Sequence, residues 1–167
     1  MPPWACSILP SVVLTAPDYP TVDRRYLYER GNFGLITPSV PLFLVNGNHE
    51  GELGYLFAGS GQDIATWATQ ARLKYYLNPS PNSFYGGIPD AFPIVGQRAA
   101  YYSFVWGDAL FVILDPFWNT TMRSNTDGWV WTLGQAQYQW LAQTLSGSTA
   151  KFKFVFLHNL VGGLDGQ

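Results

Sequence analysis

Apolar and polar positions follow two periods along this chain. Residues 42–46 (Leu-Phe-Leu-Val-Asn) are almost continuously apolar, which predicts a strand buried on both faces. Residues 101–106 and 109–115 form two more strand-like runs around Gly107-Asp108, a dipeptide suited to a tight hairpin turn. Residues 152–157 predict a further strand. Helical spacing governs residues 63–77, where Ile64, Trp67, Ala68, Ala71 and Tyr75 share a side and Pro79 and Pro81 stop the helix. It also governs residues 133–145, where Leu133, Gln137, Trp140, Leu141 and Leu145 make a stripe. Thr132 and Gln135 fit a capping box there, and Gly147 follows the end. Residues 20–33 fit a shorter helix of about two turns ending at Gly31. Residues 78–93 and 116–131 are rich in turn formers and predict irregular loops.

These elements predict a layered α/β (α+β) fold. Residues 1–22 carry five prolines and no periodic pattern, so they read as an irregular lead-in, with one domain over residues 23–167.

Composition narrows the picture. Hydrophobic residues make up 47% of the chain and charged residues only 12%, a globular balance with few groups to solvate a surface. Net charge is −2 and no run of Lys or Arg occurs, which argues against a nucleic-acid-binding face. No apolar stretch approaches the roughly 20 residues that span a bilayer. Cys6 is the single cysteine, so neither an internal disulfide nor a thiolate zinc cluster is available. The amino-terminal segment lacks a basic n-region and is a poor secretory signal. Asn119-Thr120-Thr121 fits a glycosylation sequon, a triplet common by chance. Trp106, Trp118, Trp129, Trp131 and Trp140 read as core and loop packing. Asn82, Tyr85, Asp90 and Arg98 are loop residues able to line a cleft.

The candidate chemistry lies at two strand ends. The apolar run at 42–46 breaks into Gly47-Asn48-His49-Glu50. Glycine permits a sharp turn, an Asn carbonyl is a hard oxygen donor, and His binds metal or moves a proton near neutrality. A plain strand-to-loop turn explains the same four residues, since Gly-Asn pairs favour turns. The only other histidine, His158, follows the run 152–157 in the same way. An isolated histidine there is more often structural. The pair matters because ligands of α/β sites collect at the carboxyl ends of strands.

Pro41-Leu-Phe-Leu-Val-Asn-Gly-Asn-His-Glu50 resembles the Gly-Asn-His-Asp/Glu block of the calcineurin-like metallophosphoesterases, which include the purple acid phosphatases. Residues 101–115 resemble that family's strand pair, residues 133–141 the helix that follows, and residues 151–158 the strand ending in a metal-binding histidine. The resemblance runs in order from about Tyr26 to the carboxyl terminus. It implies a two-layered β-sandwich flanked by helices, of which this chain supplies part. It also implies a dinuclear centre of Mn, Fe, Zn or Mg and a phosphoester substrate. Asn48 and His158 would bind one metal, and His49 would orient the phosphate and protonate the leaving oxygen. Gly47 would make the turn, and Glu50 would serve it without binding metal.

The departures are specific. The family's upstream Asp-x-His and Gly-Asp blocks and its downstream Gly-His-x-His block do not occur here, and Gly107-Asp108 is out of place for the Gly-Asp block. The chain therefore reads as an internal fragment with two neutral metal donors, Asn48 and His158. Two such donors hold a hard divalent ion weakly, so metal affinity and turnover are expected to be low. The alternatives are an inactive or degenerate relative acting as a binding module, and an unrelated α/β domain in which Asn48 and His158 lie far apart.

Overall fold

The structure, a computed structural model, describes residues 13, 15–120 and 128–158. Cys6, Thr121 of the sequon and residues 121–127 of the expected loop 116–131 lie outside them. Helix α1 spans Tyr19–Phe33, α2 Ile64–Tyr75 and α3 Gln135–Gly147. The strands are β1 (Ala91–Phe92), β2 (Gly96–Gln97), β3 (Tyr102–Trp106), β4 (Ala109–Ile113) and β5 (Phe152–Phe156). The described residues thus form a mixed α+β arrangement.

The sheet follows its sequence pattern. β3 and β4 pair antiparallel about Gly107, and β5 adds parallel to β4, giving the order β3-β4-β5. A parallel addition needs a crossover, which α3 supplies. Alternation along β4 sends Leu110 and Val112 towards α3, where they meet Trp140, Leu141 and Leu145. Phe111 and Ile113 face the other way, against Tyr102, Phe104, Phe43 and Val45. Lys153 Nζ donates to Leu145 O at 2.6 Å, tying β5 to the end of α3. No helix among the described residues is long and apolar enough to cross a membrane.

Several expectations are corrected. Residues 42–46 form no strand. The free edge of β3 is bridged at Ser103 by Gly86, through reciprocal backbone bonds of 2.8 and 3.0 Å. The segment packs on the sheet face instead, with Phe43 stacked on Phe104 at 4.3 Å. Its one hydrogen bond to a strand residue comes from the Tyr102 hydroxyl to Leu44 O, at 3.0 Å. Nor is it buried on both sides, since Leu42 is exposed and Phe43 to Val45 half-buried. The lead-in is helical from Tyr19, where Asp18 caps α1 by accepting from Thr21 N at 2.9 Å, and α1 runs on through Gly31. Its packing against α2, with Val22 and Tyr26 buried, outweighs the glycine's low propensity. The capping box of α3 is absent. Gly134 is the N-cap, while Thr132 Oγ1 accepts from Gly134 N and donates to Trp129 O. The loop 78–93 ends in β1, which pairs with β2. Trp106 and Trp131 are exposed.

A buried charge network joins these parts. Glu52 is fully buried and accepts from Arg72 Nε, from Arg72 Nη2 at 3.1 Å and from Arg98 Nη2 at 2.8 Å. Arg98 Nη1 donates to Asp115 Oδ2 at 2.8 Å. Arg72 also donates to Asn78 Oδ1 and to Arg98 O. Burial pushes the Glu52 carboxyl up, but the charges and hydrogen bonds of Arg72 and Arg98 more than offset this and hold it down at about 2.

Glu52→Gln leaves two buried guanidinium groups short of countercharge, and urea unfolding is expected to show a loss of about 3–5 kcal/mol. Because the folded-state carboxyl of Glu52 is depressed, its contribution is complete above the unfolded value of 4.5 and fades as pH falls towards about 2. Wild-type unfolding midpoints measured from pH 5 down to pH 2 are expected to drop across that window, and to drop less in Glu52→Gln.

Candidate metal-binding edge

β4 and β5 run parallel, so their carboxyl ends share one edge of the sheet, with Ile113 paired to Phe156. Asp115-Pro116-Phe117 leaves β4 there and His158 leaves β5 there. The Phe117 and His158 rings stand 6.1 Å apart. The loop 46–57 is brought to the same edge by three ties. The Tyr26 hydroxyl donates to Glu50 O at 3.0 Å, Glu52 enters the charge network, and Gly54 N donates to Phe117 O at 2.9 Å. Gly54 permits that approach, since a Cβ there would fall 2.6 Å from Thr120 O and closer still to Trp118 O.

The loop delivers Asn48 to His158. Asn48 Oδ1 lies 3.1 Å from His158 Nε2, across 110 residues of sequence. In that pairing the ring carries its proton on Nε2 and donates to the amide oxygen; ligation of a metal by Nε2 requires the proton on Nδ1. Asn48 is half-buried, and His49 and His158 are exposed. His49 makes no hydrogen bond among the described residues. Asn46, just before the turn, is buried, and its Nδ2 has no partner among them.

Glu50 serves the turn, the role sequence reasoning assigned to it: its Oε2 accepts from Gly47 N at 2.6 Å, closing the turn from inside. A Cβ on Gly47 would stand 2.5 Å from that oxygen and 2.9 Å from His158 Cε1. The carboxylate and the imidazole therefore flank one point above Gly47, leaving no room for a side chain. Only the tertiary fold places Glu50 beside His158. The other functional-looking loop residues do not converge here: Arg98 is held in the charge network, and Asn82 Oδ1 serves its own loop by accepting from Phe84 N and Tyr85 N.

Among the described residues no group of three or more His, Cys, Asp or Glu is placed to hold a metal. The donors that meet are one amide oxygen and one imidazole nitrogen. No family model, curated protein or solved structure matches this chain.

Gly47→Ala is expected to push Glu50 and His158 apart and to cost about 1–3 kcal/mol, the usual range for overpacking. Urea unfolding measures the loss. Histidine ring NMR signals are expected to move for His158, and an unmoved His158 with unchanged stability counts against this geometry.

Proposed function

We propose that this chain carries one side of the centre of a metal-dependent phosphoester hydrolase of the calcineurin-like metallophosphoesterase kind. The observation that supports this reading is the 3.1 Å approach of Asn48 Oδ1 to His158 Nε2 at the carboxyl edge of a parallel strand pair. Two donors bound at right angles to one ion, with bonds of about 2.1 Å, stand about 3 Å apart, so the spacing fits a shared divalent metal. The larger framework on this reading is a metallophosphoesterase-type β-sandwich, with the described sheet as part of one layer.

The residues take distinct roles. Asn48 and His158 would hold the metal. A divalent pair of Mn, Fe, Zn or Mg supplies Lewis-acid charge to phosphoryl oxygens when bound. His49, exposed next to Asn48, orients the phosphate and gives a proton to the leaving oxygen. Glu50 fixes the turn that aims Asn48. The activity on this reading is hydrolysis of a phosphoester, and with two neutral donors as its ligands this chain is expected to retain metal weakly.

Titration of the full chain with Zn²⁺ is expected to move the His158 proton from Nε2 to Nδ1, read from ring ¹⁵N shifts. Mn²⁺ is expected to broaden Asn48 and His158 signals weakly. Asn48→Ala is expected to reduce metal affinity about tenfold or more. His49→Ala should leave affinity unchanged while removing any Mn²⁺-dependent hydrolysis of an aryl phosphate. Metal responses that ignore Asn48→Ala would overturn the assignment and favour a binding module without metal.

A further inference from the structure

β5 is an edge strand. One side pairs with β4, and nothing among the described residues pairs with the other. Phe152 N donates to Asp108 O and Phe156 O accepts from Leu114 N, so Phe152, Phe154 and Phe156 turn their backbone groups to β4. By the alternation of a strand, Lys153 and Val155 turn theirs to the open side. The side chains are open as well. Phe152, Phe154, Val155 and Phe156 are each between 43% and 51% exposed. The three rings share the face of Phe111, which stacks on Phe154 at 5.5 Å.

Edges of this kind attract other strands, and proteins usually blunt them with charge, proline or a bulge. β5 has no proline, and its register with β4 is continuous from Phe152 to Phe156. Its one charge is drawn aside, since Lys153 Nζ donates to Leu145 O at the end of α3. The opposite edge of the sheet is treated differently: β3 is bridged at Ser103 by the backbone of Gly86. Association through strand edges is thereby directed to β5, which favours a closed pair over an open fibre.

The sequence of β5 decides the partner. Phe152-Lys-Phe-Val-Phe156 is nearly symmetric about Phe154. Two copies placed antiparallel, with Phe154 opposite Phe154, set Phe152 against Phe156, so ring meets ring at every position on that face. Lys153 of each copy meets Val155 of the other, and these are the residues whose backbone groups are free to exchange hydrogen bonds. Lys151 meets Leu157, so no like charges stand opposed. A two-fold contact needs such self-complementarity, and this strand has it along its whole length. The pairing carries the row Phe104, Phe111, Phe154 on into the second copy. Half-exposed rings contribute on the order of 100 Å² each, so the four apolar side chains bury roughly 700 Å² over both copies, a weak interface. His158 falls opposite Ala150 of the second copy, so the two candidate edges lie at opposite ends of the contact. The pairing does not depend on what those edges bind.

We infer that two copies of this chain pair through β5 in an antiparallel two-fold arrangement, joining two three-stranded sheets into one. The test is sedimentation velocity of the full chain from about 1 µM to about 500 µM, a range suited to a weak interface. Monomer is expected to give way to dimer with no further growth. Amide hydrogen exchange is expected to slow with concentration at Lys153 and Val155 and to change little at Phe154, whose N–H already faces β4. Val155→Lys opposes two lysines in this register, whereas Val155→Glu sets a carboxylate against Lys153. Both lose the same valine, so their difference reports the register, and the Glu variant is expected to dimerise about tenfold more tightly. The inference is overturned by a monomer throughout the range or by growth beyond a dimer. It is also overturned by slow exchange at Lys153 and Val155 that ignores concentration, which means that another part of the chain covers β5, or by equal affinities of the two variants. Circular dichroism checks that both variants fold; if either does not, sedimentation and exchange of the wild-type chain decide alone.

Discussion

The ion network of Glu52, Arg72, Arg98 and Asp115 is the constraint on which the rest of the structure depends. Its four members come from the loop after Gly51, from α2, from the segment after β2 and from the end of β4. Each charge is buried, so each is acceptable only while the others stay in place. The network therefore works as a positional lock rather than as a simple source of stability. Arg suits the role because its planar fork meets two partners at once: Arg72 grips Glu52 with two nitrogens, and Arg98 spans both carboxylates.

The lock has consequences at the candidate site. Glu52 lies two residues after Glu50, so holding it also holds the turn that presents Asn48. Asp115 lies two residues before Phe117, whose ring stands beside His158 and whose carbonyl receives Gly54 N. The candidate edge is thus fastened on both flanks by the buried charges of the network. On its other side the network leaves Arg98 Nε buried without a partner among the described residues.

The aromatic content has a related explanation. Phe104, Phe111 and Phe154 form a stacked row across the sheet, extended by Phe43 and Phe84. Such a row gives large contact area with few side-chain torsions to freeze. It also lets the segment 42–46 lie on the sheet face instead of joining its edge, which sets the direction from which Gly47 enters.

The sequence by itself determined the elements with local causes. The hairpin around Gly107, the helix capped by Asp63, the strand 152–156 and the α+β class all follow from periodicity and turn chemistry within a few residues. It also marked Asn48, His49 and His158 as candidate chemistry, because polar groups at the ends of apolar runs are unusual enough to notice. Only the tertiary structure decided the state of residues 42–46, whose apolar run suits a strand equally well but which packs on the sheet face through Phe43 and Val45. It alone revealed the partnership of Glu52 with Arg72 and Arg98, 20 and 46 residues away, since no local pattern announces a buried charge pair. It alone set Glu50 against His158. Periodicity reports what a residue does to its neighbours in sequence; distances between side chains more than a hundred residues apart depend on how the whole chain closes.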